Sequence, residues 1–214
     1  MLKNKKLSIL GDSISTYIGV SNNESTNPTI GNNPVFYRPP FPREKIYWEL
    51  VLEAFELTLC VNNSWSGGNL SGISDPTSGV NRACELSNGE GTNPDIIILF
   101  MGTNDLGRCV KPDVFGSDYR KTLDIIKEKY PSAKVCCVNI PDRDPVLKGR
   151  AEIFNAEIES AVKEKGEGYF VADLFKSRLN NDFYYMNTLD GLHPDEDGMK
   201  YIAEVIIGAM KENI

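Results

Sequence analysis

The sequence holds a single histidine, His193, and an imidazole is the side chain best suited to act as a general base near neutral pH. Asp190 stands three residues before it, in Asp190-Gly191-Leu192-His193-Pro194. Across a turn of that length a carboxylate reaches the ring, fixes its tautomer and leaves the far nitrogen to take a proton. Such a base needs a nucleophile, and Ser13 qualifies. In Gly11-Asp12-Ser13-Ile14-Ser15 it directly follows a short apolar run and so opens a helix, where backbone N–H groups and the helix dipole favour developing negative charge.

Two further segments offer donors to an oxyanion. Asn62-Asn63-Ser64-Trp65-Ser66-Gly67-Gly68 contains paired glycines, which allow close approach of a ligand to the backbone and leave an N–H free to donate; Gly67 is the better candidate. Gly102-Thr103-Asn104-Asp105 brings the carboxamide of Asn104, which donates without adding a titrating group. Each segment also has a plainer reading. Serine and aspartate commonly cap helices, and Asn- and Gly-rich stretches are ordinary turns. Asn104 can close an Asx turn with Asp105 capping the next segment, and a lone histidine before proline often marks a helix entry.

These segments must be held by something regular. Short apolar runs at 6–10, 57–61, 96–101, 134–140 and 168–171 read as strands, and longer amphipathic stretches at 46–56, 81–86, 116–129, 149–165 and 196–211 read as helices. The alternation predicts an α/β fold with a parallel sheet covered on both faces. All four chemical segments then fall at the carboxyl ends of strands, where such sheets gather their functional groups. The stretch 16–45 carries five prolines and no sustained periodicity, and is expected to be a long loop forming a wall of the site. Its Tyr37, with Asp12, Trp65, Gly68 and Leu192 beside the chemical segments, is a candidate for touching substrate.

Composition narrows the function further. At 214 residues, 41% of them hydrophobic, the chain suits one domain over 1–214. A net charge of −7 argues against nucleic acid or an anionic membrane as partner. The apolar run 7–10 is short for a signal peptide, and five cysteines without CxxC spacing fit a reducing, cytoplasmic setting. A zinc site would need ligands at spacings not found here, and Asp195, Glu196 and Asp197 lack the EF-hand spacing. No metal is expected.

Taken in order, Gly-Asp-Ser-Ile, Ser-Gly, Gly-Thr-Asn-Asp and Asp-x-x-His-Pro resemble the four sequence blocks of the SGNH hydrolases, also called GDSL-like lipases and esterases. Each block is weak alone, whereas the ordered set is specific and spans nearly the whole chain. The resemblance implies a flavodoxin-like, three-layer α/β/α fold around a mostly parallel five-stranded sheet, and neither a metal nor an organic cofactor. It further implies Ser13 as nucleophile, His193 as base, Asp190 as its orienter, and an oxyanion hole made by the N–H groups of Ser13 and Gly67 with the side chain of Asn104.

The expected activity is hydrolysis of a small-molecule carboxylic ester through an acyl-enzyme, with a short acyl group such as acetyl on a small alcohol or carbohydrate. A lysophospholipase or thioesterase, or an acyltransferase, would use the same residues. A non-catalytic module binding an anion at Gly11–Ser15 would use only the first block; no Walker lysine and no Gly-x-Gly-x-x-Gly accompanies it.

Overall fold

Runs rich in Ile, Val and Leu become the sheet. The computed structural model describes residues 2–17, 39–141, 149–175 and 187–214. Among them Lys6–Gly11 (β1), Thr58–Ser64 (β2), Ile96–Phe100 (β3), Lys134–Val138 (β4) and Tyr169–Ala172 (β5) pair in parallel throughout. Their order is β2-β1-β3-β4-β5, the flavodoxin-like arrangement. Every residue of β3 is buried, as a central strand covered on both faces must be. In β4, Cys136 and Cys137 act as small core hydrophobes, and burial pushes the Cys137 thiol up to about 12.

The helices are Tyr47–Phe55 (α1), Gly79–Arg82 (α2), Thr103–Gly107 (α3), Pro112–Lys129 (α4), Arg150–Lys165 (α5) and Glu196–Asn213 (α6). The chain steps from β1 one way to β2 and then the other way to β3, β4 and β5. Right-handed crossovers therefore put α1 on one face and α2, α4 and α5 on the other. Helix α6 packs on α1, which completes the three α/β/α layers. Tyr47, Trp48 and Val51 on α1 are fully buried, each contributing roughly 1.5–3 kcal/mol. Asp195 caps α6 by accepting the Gly198 N–H at 2.9 Å, and Glu196 and Asp197 occupy its first turn, where acids offset the dipole.

Several boundaries differ from the sequence reading, three of them for an identifiable local reason. Helix α4 starts at Pro112 rather than 116 because proline is well placed at a first helical position. Gly116 lies inside it, where a Cβ would run into the Glu157 carboxylate on α5. The helix expected at 81–86 is only Gly79–Arg82. Beyond it Ser8 Oγ donates to Leu86 O, and the Tyr130 hydroxyl accepts from Leu86 N and donates to Cys84 O, each at 2.7 Å, so side chains take the groups a longer helix would pair. Strand β4 stops at Val138 rather than 140, since the Asn155 amide engages both Ile140 N and Ile140 O at 2.8 Å.

Register brings the chemical segments together. Gly11 pairs with Ser64 on one side and Phe100 on the other, so β1, β2 and β3 end level. Ser13, Gly67 and Asn104 therefore leave the sheet from a common edge.

Candidate active site

The first turn is built around Asp12. This buried carboxylate accepts the Ile14 N–H at 3.0 Å and caps the single 3-10 turn Ser13–Ser15. The cap is therefore Asp12 and not Ser13, and the Ser13 hydroxyl is turned to other use. Beneath the turn, Ser15 is tied down three ways: its hydroxyl pairs with the Tyr47 hydroxyl at 2.7 Å, and its carbonyl accepts from Trp48 Nε1 at 3.1 Å and Asn62 Nδ2 at 2.9 Å. Burial pushes the Tyr47 phenol far up, so it stays protonated. None of this support was singled out in the sequence.

The second part of the site arrives from the far end of the chain. Thr188 and Pro194 bridge antiparallel, and Leu189 N donates to His193 O at 2.8 Å, closing a tight turn just before α6. Inside that turn Asp190 Oδ1 accepts the N–H groups of Leu192 at 3.0 Å and His193 at 2.8 Å, and Asp190 Oδ2 meets His193 Nδ1 at 2.7 Å. Partial burial pushes the Asp190 carboxyl up, but the His193 N–H, its imidazole and the Leu192 N–H together outweigh burial and hold it below its ordinary value. On its other side, His193 Nε2 lies 3.0 Å from Ser13 Oγ. Chemically, this line can draw the hydroxyl proton onto the imidazole while the carboxylate stabilises the resulting charge.

Donors lie beside it. Gly67 has φ of +72°, which glycine adopts freely, and Gly68 N closes the local turn onto Trp65 O at 3.0 Å. The neighbouring Gly67 N–H has no acceptor among the described residues. The N–H of Ser13, at the first position of its turn, has no intrahelical partner by geometry. Asn104 is the second residue of α3, whose cap Gly102 has a φ of +129° and a contact with the Phe115 ring that admit only glycine; the Asn104 carboxamide faces Gly68 and Asp12. That side chain, 9% exposed, donates to Gly68 O at 3.0 Å and makes a longer, 3.4 Å contact with Asp12 Oδ2. The second amide hydrogen is thus weakly committed.

Asp105 does not cap the next segment; it accepts Leu70 N at 2.7 Å and Ser71 N at 2.9 Å. Burial raises its carboxyl pKa, opposed by those two N–H groups. Trp65 and Leu192 are half-buried at this edge and Gly68 is buried. Tyr37 and most of the 16–45 loop lie outside the described residues. Among the described residues no group of three or more His, Cys, Asp or Glu side chains is placed to hold a metal ion, and no helix is long and apolar enough to cross a membrane.

Known proteins share this plan. An acetylxylan esterase of Xylanibacter ruminicola is 29% identical over 144 residues, an alignment covering 55% of this chain and 29% of the relative. The chain thus spans less than a third of that curated relative's length. A structure from Bacteroides ovatus described as a GDSL-like lipase superposes with a TM-score of 0.72 at 22% identity, covering 98% of this chain and 99% of the other. A family 3 carbohydrate esterase of Clostridium thermocellum gives 0.68 at 17% identity, over 98% and 96%. At such identities the two structures speak to the fold. A family model matches residues 9–201, from β1 through the turn bearing His193 and into α6, and the chain belongs to the GDSL-like lipase/acylhydrolase family, hydrolases acting on esters.

Proposed function

We propose that the protein is a serine esterase that removes short acyl groups, acetyl above all, from a small alcohol or carbohydrate. The observation that carries the mechanism is the continuous line from Asp190 through His193 to Ser13, with contacts of 2.7 and 3.0 Å. His193 Nε2 takes the Ser13 proton as Oγ forms a bond to the ester carbonyl carbon. The carbonyl oxygen becomes an oxyanion held by the N–H groups of Ser13 and Gly67 and by Asn104 Nδ2. Collapse breaks the bond to the alcohol, which leaves with the proton from His193. Water, deprotonated by the same imidazole, then attacks the acyl-enzyme, releasing the carboxylate and restoring Ser13.

The choice of acyl group is supported by the acetylxylan esterase relative, whose aligned part covers 55% of this chain. Comparing p-nitrophenyl acetate with its long-chain homologues, and following acetate release from acetylated xylo-oligosaccharides, tests it. The acetyl ester should turn over with the highest kcat/KM; a preference for long chains would refute the short-acyl assignment.

A further inference from the structure

One guanidinium sits where three strands end. Arg82, on α2, is 4% exposed. Its Nε donates to Thr77 O at 2.8 Å, and Nη1 donates to Asn63 O and, at 3.2 Å, to Asn63 Oδ1. Its Nη2 donates to Gly11 O at 3.1 Å and touches Met101 Sδ at 3.5 Å. No carboxylate of the described residues is within hydrogen-bonding distance.

Those contacts map onto the proposed site. Gly11 ends β1 just before Asp12 and Ser13, Asn63 lies near the end of β2 ahead of Gly67, and Met101 follows β3 shortly before Asn104. Each strand end that launches a proposed oxyanion donor therefore rests on the same planar group. Burying a cation without a paired anion is costly, and burial pulls this guanidinium down to about 10 while the charge of Asp12 pulls it back up. It stays charged at neutral pH. A rigid fork with several donors at fixed angles can span these acceptors, which a lysine ammonium on a flexible stem cannot.

We propose that Arg82 is a positioning residue of the oxyanion site, holding Gly11, Asn63 and Met101 on one guanidinium and so setting the mutual spacing of Ser13 N, Gly67 N and Asn104 Nδ2. This rests on the reading of those three groups as oxyanion donors. Displacement by about 1 Å suffices to cost on the order of 100-fold in rate, so the clamp acts on kcat without touching substrate.

The test uses the whole chain carrying Arg82→Lys, Asn104→Ala, both together, or Gly68→Ala, whose new Cβ would sit 3.1 Å from Trp65 O, 3.2 Å from Thr77 O and 3.4 Å from Arg82 Nη2. Rates on p-nitrophenyl acetate are expressed per mole of folded protein. Arg82→Lys should lower kcat roughly 10- to 100-fold with KM within about twofold, and Gly68→Ala should shift kcat in the same direction. Added to Asn104→Ala, Arg82→Lys should cost at least about threefold less than it costs the parent, because one donor it places is already gone. Full additivity, or an unchanged kcat per folded molecule, overturns the proposal and leaves Arg82 a purely structural group. Should Arg82→Lys fail to fold, Gly68→Ala decides alone, an unchanged kcat counting against the proposal. Parental kcat in Asn104→Ala is a distinct result: it removes the donor reading itself, and the proposal with it.

Discussion

Ser13 Oγ and His193 Nε2 lie 3.0 Å apart, although 180 positions of chain separate them. Their meeting depends on two independently built turns, one capped by Asp12 and the other wound around Asp190. The second turn is as much a backbone device as a proposed catalytic one, since Asp190 spends one oxygen on main-chain N–H groups and the other on the ring.

Replacing that carboxylate separates the two jobs. Asp190→Asn retains an oxygen for the N–H groups of Leu192 and His193 but no longer favours the tautomer with its proton on Nδ1. Steady-state hydrolysis of p-nitrophenyl acetate should show kcat reduced about 10²- to 10⁴-fold with little change in KM.

The same residue gives a pH dependence of stability whose sign is fixed. Asp190 is held below its ordinary value in the folded chain. Its contribution is therefore complete above the unfolded value of about 3.9 and is lost as pH falls through the lower, folded value. Melting temperatures of the parent and Asp190→Asn, compared across acid pH, should show a gap that is fully present at about pH 5 and narrows below about pH 4. A gap that widens as pH falls below about 5 would show that the carboxylate is not stabilised by the turn.

Support beneath the nucleophile is measurable apart from chemistry. Tyr47→Phe leaves the buried Ser15 hydroxyl without its 2.7 Å partner, at a cost of about 1–3 kcal/mol. Urea denaturation should show a lower midpoint at unchanged m-value.

Asp105 holds the backbone that leads away from Gly67. Asp105→Asn can keep one of the bonds to Leu70 N and Ser71 N, but its amide NH₂ faces the other N–H. The expected loss is about 1–3 kcal/mol, read from urea denaturation, with kcat falling as well because the Gly67 segment loses an anchor.

Sheet, helix alternation and site edge were all legible in the sequence because they arise from local composition: β3 is Ile-Ile-Ile-Leu-Phe, and nothing but a buried strand accommodates it in so short a run. The chemical residues were legible because a sole histidine with an aspartate three positions earlier restricts the alternatives. What escaped was the supporting shell. Arg82, Asp105, Ser15 and Tyr47 act through partners as far as 71 positions away, and nothing local distinguishes Arg82 from a solvent-facing arginine. Asp105 was visible beside Asn104, yet the N–H groups that donate to it became identifiable only once the 65–72 segment had folded against it. Helix limits slipped for a related reason, as at Leu86, where side chains from β1 and from the end of α4 claim the backbone.

Covalent labelling of the nucleophile bears most directly on the central claim. A fluorophosphonate should add to the intact protein on the peptide containing Ser13, with ester hydrolysis lost in step with labelling. Ser13→Ala should take no label and retain roughly 10⁻⁴ of parental kcat or less. A label that maps elsewhere, or a Ser13→Ala protein that hydrolyses acetyl esters as fast as the parent, would contradict the account.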